Sequence, residues 1–156
     1  MDIDPLSHVV SRLSHAVLMV TRLIPYTSQA SLDPIIRIAC LEDWFTNYRL
    51  LIEFLLMRPP PNCASAKTLV PGWTERPGVK AQLMADYGRA SEDVSHIGQP
   101  SGVGPGSSDP SALRKKAVLI LRIVEEVADA MAAEESDYEP MVRLAIDSAR
   151  GALASL

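Results

Sequence analysis

Residues 33–56, DPIIRIACLEDWFTNYRLLIEFLL, form the longest strongly patterned run of the 156-residue chain. An aspartate followed by proline is a common helix start, and the apolar residues then recur at three- and four-residue steps. More than half of the circumference of this helix is apolar, so we expect it to be buried on several sides. The remaining polar strip is narrow and consists of Glu42, Thr46, Arg49 and Glu53. The expected inward seam is Ile38, Leu41, Phe45, Tyr48, Ile52 and Leu55.

Four further segments have helical periodicity. They run from Pro5 to about Ile24, where Pro25 should end the helix, and over residues 77–97, 110–133 and 137–156. A Pro-rich connector over residues 58–76 and a Gly/Pro/Ser-rich linker over residues 98–109, predicted to be flexible, separate them. The sequence therefore predicts an all-α fold, an antiparallel bundle of four to five helices in a single domain over residues 1–156. In the last helix we expect the inward residues to be Met141, Leu144 or Ala145, Ser148, Ala152 and Leu156.

Composition agrees with a globular helical protein, because 47% of residues are hydrophobic, 22% are charged and only 5% are aromatic. The net charge of −4 gives no basic field that would attract nucleic acid to the whole surface. The acidic N-terminus does not resemble a signal peptide, and no apolar run approaches the roughly 20 residues of a membrane span. We therefore expect a cytoplasmic protein that does not enter a membrane. Cys40 and Cys63 have no further ligands at zinc spacing, so no metal or cofactor is expected.

Three polar residues of the central helix are candidate supporting groups of a site. Asp43 and Asn47 lie four residues apart and share a face with apolar neighbours. They form either a buried hydrogen-bond pair between helices, which we favour, or the wall of an active site. Arg49 precedes Glu53 by four residues, a spacing that favours an ion pair, although the guanidinium could also be offered to a phosphate or a partner carboxylate.

Arg89 and His96 are the candidate catalytic pair. They stand seven residues apart, two turns along one helical face. A guanidinium and an imidazole in this arrangement could bind a phosphate and move a proton, which is the minimum for RNA cleavage without a metal. The structural alternative pairs Arg89 with Asp93 and leaves His96 to interact with the C-terminal end of the helix dipole.

Two other groups of residues have competing interpretations. Trp44, Trp73 and Asp43 could line a small-ligand site beneath the 58–76 connector. Arg114, Lys115 and Lys116 occupy a first helical turn, where they could meet a phosphate or an acidic partner. We favour an exposed basic turn for these three residues.

Over roughly residues 34–98 the chain resembles small bacterial helical proteins of the HEPN-like kind. The resemblance is carried by LEDWFTNYRLLIEFLL, by the Pro/Trp-bearing connector and by a later helix that ends in SHIG. It implies a helical bundle that is often dimeric. Many members are metal-independent ribonucleases with an arginine, four to six residues, and then a histidine, a spacing that Arg89 and His96 satisfy. Ala90 departs from the polar residue that active members usually carry after the arginine, which favours a non-catalytic member.

The function that we predict is therefore an interaction or regulatory module, partnered by a second copy or by another protein. A HEPN-like endoribonuclease that uses Arg89 and His96 on RNA is the alternative, and a small-ligand binder is a second one. The sequence leaves open whether the protein is an enzyme.

Overall fold

The computed structural model describes residues 4–56, 64–96 and 109–156, and within these ranges it describes the side chains of all residues except 89–96. This part of the chain contains helices and no strand, which confirms the all-α prediction. The linker predicted for residues 98–109 lies outside the described residues, apart from Asp109. The helices in chain order are α1 (Pro5–Arg22), α2 (Ile24–Ser28), α3 (Pro34–Leu56), α4 (Ala66–Leu69), α5 (Val79–His96), α6 (Pro110–Ala133) and α7 (Glu139–Ala154).

α1, α3 and α6 begin where the sequence indicates, whereas α5 and α7 each begin two residues later than predicted, at Val79 and Glu139. The Asp4 carboxylate accepts a hydrogen bond from the Leu6 N–H at 3.1 Å, and that of Asp33 accepts one from the Ile35 N–H at 2.8 Å. Each aspartate satisfies a backbone N–H that has no partner within its helix. Asp109 occupies the corresponding position before Pro110.

Two short helices lie where only connectors were expected. Pro25 does not follow directly on α1, because α1 ends at Arg22 and a new helix, α2, begins at Ile24. Proline is tolerated there because the N–H groups of a first helical turn have no intrahelical partner. The second short helix, α4, lies in the 58–76 connector, where Ser65 and Thr68 cap each other. Trp73 is buried just after it, as expected for a connector that is fixed to the core.

The core forms where α1, α3, α6 and α7 meet. α1 packs on both α7 and α3, α3 packs on α2 and α5, and α6 packs on α7, α2 and α3. Trp44 joins α3 to α1, because its indole N–H donates to the Val20 carbonyl at 2.7 Å. Its ring is stacked on Tyr48, with centroids 4.9 Å apart, and meets Phe45 edge-on at 5.2 Å.

In the inward seam predicted for α3, Phe45 to Leu55 are buried and Leu41 is half-buried against the core, whereas Ile38 is exposed. Trp44, Tyr48 and Ile52 are fully buried. Ile38, which was expected in the inward seam, is 47% exposed, and Ile35 is 76% exposed. None of the residues in the first two turns of α3, residues 34–40, is buried.

The orientation predicted for α7 is partly wrong. Of the alternatives Leu144 and Ala145, Ala145 is buried and Leu144 is 73% exposed, and Ser148 and Ala152 are half-buried. Met141 and Leu156 were expected to face inward, but they are 47% and 44% exposed. α7 packs on both α1 and α6, and its contact with α6 includes salt bridges of Arg143 with Asp129 at 2.5 Å and of Arg150 with Glu125 at 2.6 Å. The buried stripe of α7 is Val142, Ala145, Ile146, Ala149 and Leu153.

We predict that Trp44→Ala lowers the free energy of unfolding by about 3–5 kcal/mol, because the substitution removes a fully buried aromatic ring and leaves a cavity. Urea denaturation followed by circular dichroism measures the change. Leu50→Ala on the exposed side of the same helix is the matched control and should cost less than about 1 kcal/mol. Equal losses for the two variants would contradict the placement of Trp44 in the core.

Candidate functional site

Arg89 and His96 both lie in α5, as predicted. Seven residues of helix separate their backbones by about 10 Å along the axis. Their side chains lie outside the described part of the structure, so their catalytic role stays a prediction. Ala90 lies in the same helix.

Arg49 forms the ion pair that its spacing favours. Its Nε lies 3.2 Å from the Glu53 carboxylate, and both side chains are partly exposed. The same carboxylate accepts a hydrogen bond from the Tyr87 hydroxyl at 3.0 Å. Arg49 and Glu53 therefore form part of the contact between α3 and α5.

Asp43 and Asn47 bond to each other within α3. The buried Asn47 amide donates to the backbone carbonyl of Asp43 at 2.8 Å and to its carboxylate at 3.0 Å. Asp43 itself is exposed, so it does not point in an apolar direction as the sequence suggested. The hydrogen bonds of the pair run along one helix rather than between two. Their role as supporting groups of a site stays a prediction.

A buried polar cluster that the sequence did not reveal joins α3, α5 and α6. Asp86 of α5 is 9% exposed, and its carboxylate accepts a hydrogen bond from the Tyr48 hydroxyl of α3 at 2.9 Å. The other carboxylate oxygen is paired with the Lys116 ammonium of α6. We call these three residues the Asp86 cluster. They are 38 and 30 residues apart in the chain, and only the fold brings them together.

Lys116 is therefore not part of an exposed basic turn. Arg114 and Lys115 are exposed as expected, but the Lys116 side chain is only 20% exposed. Its ammonium lies 5.7 Å from the centroid of the Tyr48 ring, within the range of a cation–π contact. Lys116 follows Lys115 on α6 but lies on a different face of the helix, and its side chain faces Asp86 of α5.

The environment of the Asp86 cluster favours a neutral Tyr48. Burial away from water, the negative charge of Asp86 and the hydrogen bond to that carboxylate all raise the pKa of Tyr48. Within the Asp86 cluster a hydroxyl and an ammonium thus hold one carboxylate. This arrangement suits the Tyr48 hydroxyl and the Lys116 ammonium to binding a carboxylate on a helix rather than to proton transfer near neutral pH.

The small-ligand alternative depends on Trp44 and Trp73. Trp44 is fully buried and its ring already contacts Tyr48 and Phe45, while Trp73 is 6% exposed. Asp43, the third residue of this hypothesis, is exposed. These positions do not favour a shared site, and the hypothesis stays a prediction.

A second feature of interest is the apolar surface at the start of α3. We call residues 34–40 the exposed turns. They carry Ile35, Ile36 and Ile38, which are 76%, 49% and 47% exposed. Arg37 lies among them, and its Nε is buried without a hydrogen-bond partner in the part of the chain that the structure describes.

Among the residues that the structure describes, no group of three or more His, Cys, Asp or Glu side chains could hold a metal ion. The same residues include no helix that is long and apolar enough to span a membrane. Cys40, on the exposed turns, is a free thiol.

Comparison of the chain with protein-family models, with curated proteins and with solved structures gives no match. The HEPN-like resemblance therefore stays a prediction.

We predict that Lys116→Met lowers the free energy of unfolding by about 2–4 kcal/mol, because it leaves the buried Asp86 carboxylate without its cation. The double variant Asp86→Asn/Lys116→Met should recover much of this loss, since a neutral pair leaves no charge unpaired. Urea denaturation of both variants measures the difference. Lys115→Met is the matched control and should change stability by less than about 0.5 kcal/mol. A single variant that unfolds like the control would show that the pair is absent in solution.

The raised pKa of Tyr48 predicts a loss of stability at alkaline pH. In the unfolded chain this tyrosine ionises near pH 10, whereas in the folded protein it stays neutral to higher pH. The corresponding stabilisation is complete below about pH 10 and is lost as the pH rises above it. Tyr48→Phe should therefore show a shallower loss of unfolding free energy between about pH 10 and 11.5 than the wild-type protein. Tyr26→Phe, at an exposed position, should retain the wild-type slope. Identical slopes for both variants would contradict the prediction.

Proposed function

We propose that this protein is a bacterial, cytoplasmic interaction or regulatory module, an antiparallel helical bundle of the HEPN-like kind. In this proposal it acts as a homodimer, and the exposed turns of α3 are the surface through which the two copies meet.

The observation that supports this proposal is an apolar helix segment that the described chain leaves uncovered. The sequence IIRIAC is apolar on most sides, a pattern that is typical of a buried helix. Ile35 is nevertheless 76% exposed, and both Ile36 and Ile38 are about half exposed. An apolar patch of this kind is typical of an interaction surface. A second copy of the chain could bury these three isoleucines.

Charge on the exposed turns favours a second copy over an unrelated partner. Arg37 lies in the middle of the segment, and Asp33 and Asp43 lie on either side of it. In a two-fold symmetric dimer both copies use the same surface. If residue i of one copy contacts residue j of the other, then residue j of the first also contacts residue i of the second. Antiparallel pairing of two such helices would bring each Arg37 towards an aspartate of the other copy.

We expect Ile35→Glu and Ile38→Glu to dissociate the dimer, because each places a carboxylate in the proposed apolar contact. Light scattering over a dilution series should give a dimer for the wild-type protein and a monomer for both variants. Circular dichroism should show that the variants retain their helix content, since these positions are exposed in the monomer.

Leu144→Glu is the matched control. Leu144 is 73% exposed, like Ile35, but it lies on α7. This variant should remain dimeric. A wild-type protein that is monomeric at micromolar concentration, or a control that dissociates equally, would rule out the proposed surface.

The endoribonuclease is kept as the second candidate, because Arg89 and His96 lie on one helix with the spacing that the resemblance implies. If this is the function, the purified protein cleaves unstructured RNA without added metal, and His96→Ala abolishes cleavage without lowering the melting temperature. Gel analysis of a labelled RNA measures the product. His8→Ala, at an exposed histidine of α1, is the matched control and should leave cleavage unchanged. RNA that stays intact at micromolar protein would exclude this candidate.

A further inference from the structure

The outward side of α1 carries two arginines and a histidine in one line. Arg12, His15 and Arg22 are exposed, and they follow one another at steps of three and seven residues. These steps place the three side chains on one side of the helix, away from its buried stripe. α1 contains no aspartate or glutamate. We call Arg12, His15 and Arg22 the basic row.

The two arginines of the basic row have no carboxylate to balance their charge. Within the described part of the chain, neither Arg12 nor Arg22 forms a salt bridge. The cationic residues that do so are Arg49, Arg76, Lys80, Lys116, Arg143 and Arg150. Arg22 is nevertheless held in place, because its Nη2 donates to the Ser148 hydroxyl of α7 at 2.9 Å. A guanidinium has five N–H donors, so the others can still meet a carboxylate.

Exposed apolar side chains of α7 lie beside the basic row. Leu144 and Met141 precede Ser148 by four and seven residues, so the three residues share one side of α7. Leu144 is 73% exposed and Met141 is 47% exposed. Because Ser148 contacts Arg22, this side of α7 borders the basic row. The combined surface therefore offers cationic and apolar contacts together.

A helix that carries carboxylates suits this surface better than a nucleic acid does. Two helices packed side by side both present side chains at three- and four-residue steps, so a line of glutamates can follow the basic row. Neither α1 nor α7 contains a phenylalanine, tyrosine or tryptophan on which a base could stack. Affinity for a phosphate backbone increases with the number of cations that contact it, and the basic row contains only two arginines. A partner helix can also cover the apolar residues of α7, which a phosphate backbone does not.

We propose that the basic row, together with Leu144 and Met141, is a docking site for an acidic amphipathic helix of a partner protein. Carboxylates of that helix pair with Arg12 and Arg22 and accept a hydrogen bond from the His15 imidazole, while its apolar side chains cover Leu144 and Met141. The net charge of −4 on the chain directs the acidic helix to this surface, because like charges disfavour its binding elsewhere. The proposal does not rest on the dimer, since the exposed turns belong to α3.

The probe is a fluorescein-labelled peptide, EAALEAAEAALEAAEAALEAA, blocked at both ends. Its residues are good helix formers, and its glutamates recur at three- and four-residue steps, as the positions on one side of α1 do. Fluorescence anisotropy follows its binding to the full-length chain. Arg12→Gln and Arg22→Gln should each raise the dissociation constant about tenfold, because each removes a charge-assisted hydrogen bond. Leu144→Ser should raise it about threefold, because less apolar surface is covered.

Arg122→Gln is the matched control. Arg122 is exposed on α6 and forms no salt bridge in the described part of the chain, so its replacement removes the same charge at a different place. This variant should bind the peptide as the wild-type protein does. A second peptide, with glutamine at every glutamate position, should bind the wild-type protein at least tenfold more weakly. Circular dichroism checks that each variant is folded.

Four results would overturn the proposal. The first is no binding of the acidic peptide at about 0.1 mM wild-type protein. The second is an equal loss with Arg122→Gln and Arg12→Gln, which would indicate general charge attraction. The third is equal affinity for the glutamate and glutamine peptides. The fourth is an oligouridylate, or a phosphatidylglycerol vesicle, that binds more tightly than the peptide and loses affinity in Arg12→Gln, which would make a phosphate the ligand.

The dimer proposal is tested separately by the same assay. The Ile35→Glu variant should bind the acidic peptide as the wild-type protein does, because Ile35 lies on α3 and the basic row lies on α1. Failure of the dimer would then leave peptide binding intact, and failure of peptide binding would leave the dimer intact.

Discussion

α3 presents more apolar surface than the described rest of the chain covers, and much of the structure follows from this. It packs on α1, α2, α5 and α6, and its residues Trp44, Tyr48 and Ile52 are fully buried. Its first two turns contain no buried residue, and Ile35 and Ile38 are 76% and 47% exposed there. Burial of apolar surface is the main favourable term in folding and in association. One helix therefore organises the core and provides the surface proposed for pairing.

Polar contacts also attach α5 to α3 and α6. Over Val79–Gly88, where the side chains are described, α5 buries Leu83 and Asp86, and the Tyr48 hydroxyl and the Lys116 ammonium hold the Asp86 carboxylate. A buried carboxylate is costly unless it is paired and hydrogen-bonded, and here both conditions are met. Removing either partner would leave a polar group unsatisfied, which lowers the stability of the fold.

Features that depend on nearby residues in the chain could be predicted from the sequence. The starts of α1, α3 and α6 follow from aspartate–proline pairs, and the ion pair between Arg49 and Glu53 follows from a spacing of four residues. α2 and α4 could not be predicted, because each is little longer than one turn and a single helical turn is not stable alone.

Features that depend on which helices meet could not be predicted. α7 packs on both α1 and α6, and the way it lies against these two helices determines which of its apolar residues are buried. Lys116 resembles its neighbours Arg114 and Lys115 in sequence, and only the position of α5 distinguishes it. The exposure of Ile38 depends in the same way on which helices cover the start of α3.

Hydrogen exchange of the backbone amides in residues 36–41, measured at several protein concentrations, tests most directly whether a second copy covers the exposed turns. Dimer formation at this surface predicts slow exchange at high concentration and faster exchange on dilution, while Trp44–Leu55 exchanges slowly throughout. Exchange in residues 36–41 that is equally fast at every concentration would show that the apolar start of α3 stays open to water, and it would contradict the account.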